Sequence, residues 1–116
     1  MNAAILALLK QLRAHPPDPG KDCSEIAEDF AALAPGRILR VEPTGGGHVI
    51  VEEYGRREAF DYHEVYVSSE GKVFDPRHSG RPIPEAAYRR MVETLNPGTA
   101  LRWRNAARNG ETSKRC

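Results

Sequence analysis

Cys23 is the residue in this chain best placed to do chemistry. Asp22 has the character of a helix N-cap, and Glu25 three residues on completes a capping-box pattern. Cys23 then begins the helix, where backbone amides and the positive end of the helix dipole favour a thiolate, the nucleophilic form of cysteine. Asp22, Glu25, Glu28 and Asp29 crowd the same helix and oppose that charge, so a nearby imidazolium has to outweigh them. His63 is the candidate. It shares a strand face with Val65 and Val67, and Asp75 ends the returning strand of the same hairpin. A carboxylate there is able to hold one ring nitrogen and present the other to the thiol. Taken singly, each residue has a plainer reading: Cys23 as a small buried hydrophobe, His63 as a hydrogen-bonded half-buried ring, Asp75 before Pro76 as a turn former.

The elements that must position these groups follow from hydrophobic spacing. Residues 2–14 form a short amphipathic helix with Ile5, Leu8, Leu9 and Leu12 on one side. Pro16, Pro17 and Pro19 stiffen the loop at 15–20. The Cys23 helix runs to about residue 34, where Pro35-Gly36 ends it, with Ile26, Ala27 and Phe30 in line with the thiol. Residues 37–42 and 48–53 read as strands around the turn at Gly45-Gly46-Gly47, and 62–75 as a β-hairpin turning at Ser69-Glu70-Gly71. A third helix spans about 84–95 with Tyr88, Met91, Val92 and Leu95 as its buried stripe, and Leu101 and Trp103 mark a last short strand. Helices followed by a meander of strands predict an α+β fold, its N-terminal helices packed on a small antiparallel sheet. One domain is expected over residues 1–104, with a polar, mobile tail at 105–116.

Composition narrows the class. The chain has 116 residues, enough for one core without staples, and its 40% hydrophobic and 28% charged content is that of a globular domain. The net charge of +1 gives no argument for nucleic acid or a membrane surface as a partner. The excess of Arg102, Arg104, Arg108, Lys114 and Arg115 over Glu111 near the end reads as a solvated terminus. Residues 3–9 are apolar, but Lys10 follows and no basic segment precedes them, so no export signal is expected. Cys23 and Cys116 are expected to be free thiols in a reducing compartment. Cys23, His48, His63 and His78 have no compact ligand spacing, and the triple glycine lacks the helix and lysine of a phosphate loop, so neither metal nor cofactor is expected.

The order of a helix-start cysteine, a strand histidine and an acid on the returning strand is similar to that of papain-like thiol enzymes. The local strings resemble the compact second type of papain-fold toxin domain from bacterial polymorphic toxin systems. Cys23 lies in DCSEIAEDFAAL, His63 in YHEVYV and Asp75 in GKVFDPRHSGRPIPEAAY, and the likeness covers residues 20–95. It implies a papain-like fold and a cysteine hydrolase acting on protein amides, as a peptidase or glutamine deamidase, with Cys23 as nucleophile, His63 as base and Asp75 as its orienting acid. It also implies a toxin or effector module, active in the cytoplasm or delivered into a target cell, with a protein substrate and an immunity protein as partner. The chain departs from the pattern in three places. Asp61-Tyr62 precedes the histidine, Pro76 follows the acid, and Pro17 stands where larger papain-like enzymes carry a glutamine a few residues before the cysteine, which leaves the Cys23 amide and the Lys21 side chain as candidate oxyanion donors. Two alternatives share the scaffold: a non-catalytic protein-interaction domain, and a transglutaminase-like acyltransferase.

Overall fold

A computed structural model describes residues 2–17 and 21–106. Helix α1 (Ala3–Ala14) starts where the Asn2 side chain accepts from the amides of Ala4 and Ile5, and it buries Ile5, Leu9 and Leu12. Asp18, Pro19 and Gly20 of the expected proline loop lie outside the described residues. Helix α2 (Cys23–Ala31) carries the capping box anticipated from Asp22 and Glu25: Asp22 Oδ1 accepts from the Glu25 amide at 2.9 Å, and Glu25 Oε1 from the Asp22 amide at 3.4 Å. Its buried residues are Cys23, Ile26, Ala27 and Phe30.

Among the described residues seven strands follow: β1 (Gly36–Pro43), β2 (Val49–Glu53), β3 (Arg56–Phe60), β4 (His63–Ser68), β5 (Lys72–Phe74), β6 (Ile83–Pro84) and, after helix α3 (Glu85–Leu95), β7 (Leu101–Asn105). Five of them make one sheet in the order β6-β5-β4-β1-β7, and β2 and β3 form a separate two-stranded ribbon. All pairings are antiparallel. The fold is therefore α+β, with the N-terminal helices packed on the sheet. Strand β7 takes in Asn105, and the Ala106 amide bonds Ile38 O at 2.8 Å. The rest of the expected tail lies outside the described residues.

The central strand β4 divides the core. One cluster joins Ile5, Leu9 and Leu12 of α1 and Ile26 and Phe30 of α2 to Tyr66 and Phe74. Phe30 lies 5.7 Å from the Tyr66 ring and 5.6 Å from Phe74, centroid to centroid. The other joins Val65, Val67 and Val73 to Tyr88 and Val92 of α3 and to Val49 and Val51 of β2. The two-residue period of a strand sends alternate side chains of β4 to opposite faces, so α1 and α2 cover one face while α3 and the β2–β3 ribbon cover the other. Each fully buried side chain of this size contributes about 1.5–3 kcal/mol, and both halves depend on β4 holding its register. Gly36 protects that register. A Cβ there would meet the Tyr66 ring and Val67 O at 2.5 Å. On the second face Asn96 acts as a piece of strand: its side chain bonds Ile50 N and Ile50 O, both at 2.8 Å, and so fastens β2 to the end of α3.

Candidate functional site

Val67 pairs with Val73 and Tyr66 with Phe74 in the β4–β5 hairpin. Continuing that register sets Asp75 opposite Val65, one diagonal step from His63 on the same face. The side chains meet as the hairpin argument anticipates. His63 Nε2 lies 3.1 Å from Asp75 Oδ2, with His63 only 1% and Asp75 6% exposed. Tyr88 of α3 completes the group: its hydroxyl donates to Asp75 Oδ2 at 2.8 Å and lies 3.1 Å from His63 Nε2. The other carboxylate oxygen, Oδ1, accepts from the Arg77 amide at 3.2 Å.

Burial by itself would raise the Asp75 pKa. The hydrogen bond and charge of His63, the Tyr88 hydroxyl and the charge of His78 outweigh burial and hold the carboxyl below its ordinary value. Tyr88 moves the other way, because burial first, and then the charge of Asp75 and the hydrogen bond to it, push its pKa well above that of a free phenol. At neutral pH the trio thus holds a carboxylate and a neutral phenol. An ionised carboxylate only accepts, so the His63 hydrogen belongs on Nε2. His63 Nδ1 is buried and has no hydrogen-bond partner. A proton there in the neutral ring would be a buried unsatisfied donor, which costs about 1–3 kcal/mol, so of the two neutral tautomers the geometry favours the one with the hydrogen on Nε2 and a lone pair on Nδ1.

Cys23 sits at the other face of β4. The amide of Glu64, the residue next to His63, donates to Cys23 Sγ at 3.2 Å. Arg40 and Glu64 stand opposite each other across β1 and β4 and form a buried ion pair at 2.8 Å. The Arg40 guanidinium lies 3.7 Å from the centre of the Tyr62 ring, and the Tyr62 hydroxyl is 3.2 Å from Ser24 Oγ. Cys23, Glu64, Phe74, Asp75 and Arg77 are among the residues lining a cavity of about 10 Å³, room for about one water molecule.

The structure therefore brings His63 and Asp75 together and sets Cys23 beside the His63 backbone, but neither ring nitrogen of His63 hydrogen-bonds the sulfur. The reason is the period of the strand. Helix α2 packs on the Tyr66 face, whereas the His63 ring joins the Val65 face. The expectation of a free thiol at Cys23 also fails: Cys23 is disulfide-bonded, and no described cysteine is free. Cys116 lies outside the described residues. Lys21, a candidate oxyanion donor, pairs with Asp29 at 2.6 Å. Arg102 and Arg104, read from sequence as part of a solvated basic terminus, both reach Glu42, at 3.2 and 3.0 Å.

Sequence reasoning missed the residues that join these parts. Arg77 donates to Glu53 at 3.2 Å and to the Lys21 carbonyl at 2.6 Å, tying the segment after Asp75 both to β2 and to the approach to Cys23. Arg13 of α1 donates to the carbonyls of Pro76 and Arg77, and the Tyr54 amide bonds Arg77 O at 2.6 Å. The only signal for this clamp was a basic residue directly after Asp-Pro. Tyr88 was visible only as a member of a helical stripe.

His48 pairs with Asp61 at the surface, and His78 Nδ1 stands 3.5 Å from Glu52 Oε1, an ion-pairing distance without a hydrogen bond. Among the described residues no group of three or more His, Cys, Asp or Glu is able to hold a metal ion, and no helix is long and apolar enough to cross a membrane. No protein family, curated protein or solved structure matches the chain, so the assignment beyond α+β rests on the site itself.

Proposed function

We propose that the chain is a papain-like cysteine hydrolase acting on a protein amide, as a peptidase or glutamine deamidase, and that it serves as a bacterial toxin or effector module with a protein substrate and an immunity protein as partner. One observation carries the reading. His63 is held through Nε2 by the Asp75 carboxylate, its Nδ1 has no partner, and the sulfur of Cys23 touches the amide of the very next residue. In this reading two external thiols first reduce the Cys23 disulfide and leave joined as a disulfide of their own. The freed thiol then gives its proton to Nδ1. The thiolate attacks the amide carbon, and the imidazolium returns the proton to the departing amine or ammonia. Water, giving a proton to Nδ1, cleaves the thioester and restores the thiol. Asp75 keeps the ring oriented and stabilises its charged form.

The test begins with the reduced protein. Iodoacetamide is expected to label Cys23 faster than Cys116 below pH 7, and candidate proteins incubated with wild type but not Cys23→Ala are expected to show cleavage or the mass gain of amide-to-acid conversion. Amine addition would mark the acyltransferase alternative. Growth inhibition on expression in bacteria, lost in Cys23→Ala and His63→Ala at equal soluble level, addresses the toxin role; Cys23→Ala as toxic as wild type overturns the enzyme reading.

A specific observation favours a second reading, a non-catalytic interaction domain. Cys23 is 3% exposed, disulfide-bonded and next to a cavity of about 10 Å³, too small for a peptide. A thiol that stays unreactive after reduction in the folded state would support it.

A further inference from the structure

We infer that Tyr88 is a positioning residue for His63, acting through its shared contact with Asp75 to keep the imidazole in the Nε2–H form with Nδ1 bare. This rests on the reading of Cys23, His63 and Asp75 as a working set. The triangle is closed: Tyr88 hydroxyl to Asp75 Oδ2 at 2.8 Å, Tyr88 hydroxyl to His63 Nε2 at 3.1 Å, and His63 Nε2 to Asp75 Oδ2 at 3.1 Å. All three side chains are buried. Since the phenol spends its hydrogen on Asp75, its oxygen faces Nε2 as an acceptor. The single Nε2 hydrogen thus has two acceptors, and a ring rotated to present Nδ1–H would have to satisfy both. Tyr88 comes from α3, whereas His63 and Asp75 come from one hairpin. The helix therefore fixes the ring from a second direction, which the hairpin by itself does not supply. Glu53 and His78 are the other charged or titratable groups acting on this trio, with Arg77 reaching Asp75 through its amide. None of them meets the His63 ring through a hydrogen bond.

Tyr88→Phe keeps the ring volume and deletes both contacts. In the reduced, full-length protein labelled with nitrogen-15, the neutral form of the wild-type His63 ring is expected to show a protonated Nε2 and an unprotonated Nδ1. Tyr88→Phe is expected to show a mixture of the two neutral tautomers, with kcat lowered about tenfold and KM unchanged on a substrate of the wild type. An unaltered ring spectrum in Tyr88→Phe overturns the inference and leaves Asp75 as sole anchor. If Tyr88→Phe does not fold, the wild type decides: a slowly exchanging Tyr88 hydroxyl proton close to the His63 ring supports the inference, and its absence overturns it. The tautomer is read without substrate. A ring that responds to Tyr88→Phe in a protein lacking any Cys23-dependent turnover supports the positioning role while the hydrolase reading falls.

Discussion

The two faces of β4 solve the burial of polar groups differently. On the α3 face, His63, Asp75 and Tyr88 form a closed hydrogen-bonded triangle from a hairpin and a helix, leaving one lone pair over at Nδ1. On the α2 face, an Arg40–Glu64 ion pair lies under Tyr62, and the sulfur of Cys23 accepts from a backbone amide of the strand. The first face is organised around proton position, the second around charge pairing and a soft sulfur contact. The faces therefore differ in how the key groups are fixed. The acid–base pair is fixed from both a hairpin and a helix, whereas the proposed nucleophile sits at the start of a helix, disulfide-bonded and touching a strand amide.

The contrast breaks hardest at Asp75. Asp75→Ala leaves the His63 Nε2 hydrogen and the Tyr88 hydroxyl buried without their acceptor, and is expected to cost about 3 kcal/mol in urea unfolding. Asp75→Asn, whose amide oxygen still accepts, is expected to cost less. Because the folded pKa of Asp75 lies below the unfolded one, its contribution to stability is present at neutral pH and lost as pH falls through the folded pKa. The stability gap between wild type and Asp75→Asn should therefore close in acid. A gap independent of pH would mean that the carboxylate charge plays no part in holding the triangle.

A smaller effect is expected on the other face. In excess reductant Cys23→Ala should cost about 1 kcal/mol, the loss of one buried sulfur's contacts, while removing the chemistry altogether. Without reductant the gap to wild type should widen by about 2–4 kcal/mol, since the wild type then keeps its disulfide. If Cys23→Ala in reductant destabilised as much as Asp75→Ala, the sulfur would belong to the rigid framework and the two faces would not differ in this way.

The smallest effect sharpens the comparison from outside. Lys21 is partly exposed and paired with Asp29 at 2.6 Å, so Lys21→Ala is expected to change stability by less than about 0.5 kcal/mol and to leave turnover of the reduced protein intact. A large loss of turnover with unchanged stability would return Lys21 to the role of oxyanion donor.

Much of this was legible from residues close together in the chain. The Asp22–Glu25 capping box and the turn at Gly71 each depend on groups a few positions apart, and the structure contains both, whereas β4 is buried along its whole length and not on alternate residues. The meeting of His63 with Asp75 follows from hairpin register, which that turn sets. Strand β3 escaped notice because RREAF belongs to a two-stranded ribbon; its burial pattern carries no fully buried residue and so no apolar alternation to read. The clamp by Arg13 and Arg77 escaped because its partners are mostly carbonyls, and every residue type has one.

What the sequence determined by itself, then, is the α+β class, the helix that begins at Cys23 and the hairpin that joins His63 to Asp75, because each follows from contacts whose geometry is local. Tertiary structure decided which face of β4 each helix would cover, that Tyr88 would close the triangle, and that Cys23 would lie against the Glu64 amide instead of the His63 ring. Those outcomes depend on how α2 and α3 pack against the two sides of one strand, and a two-residue period distinguishes the sides without saying which helix takes which.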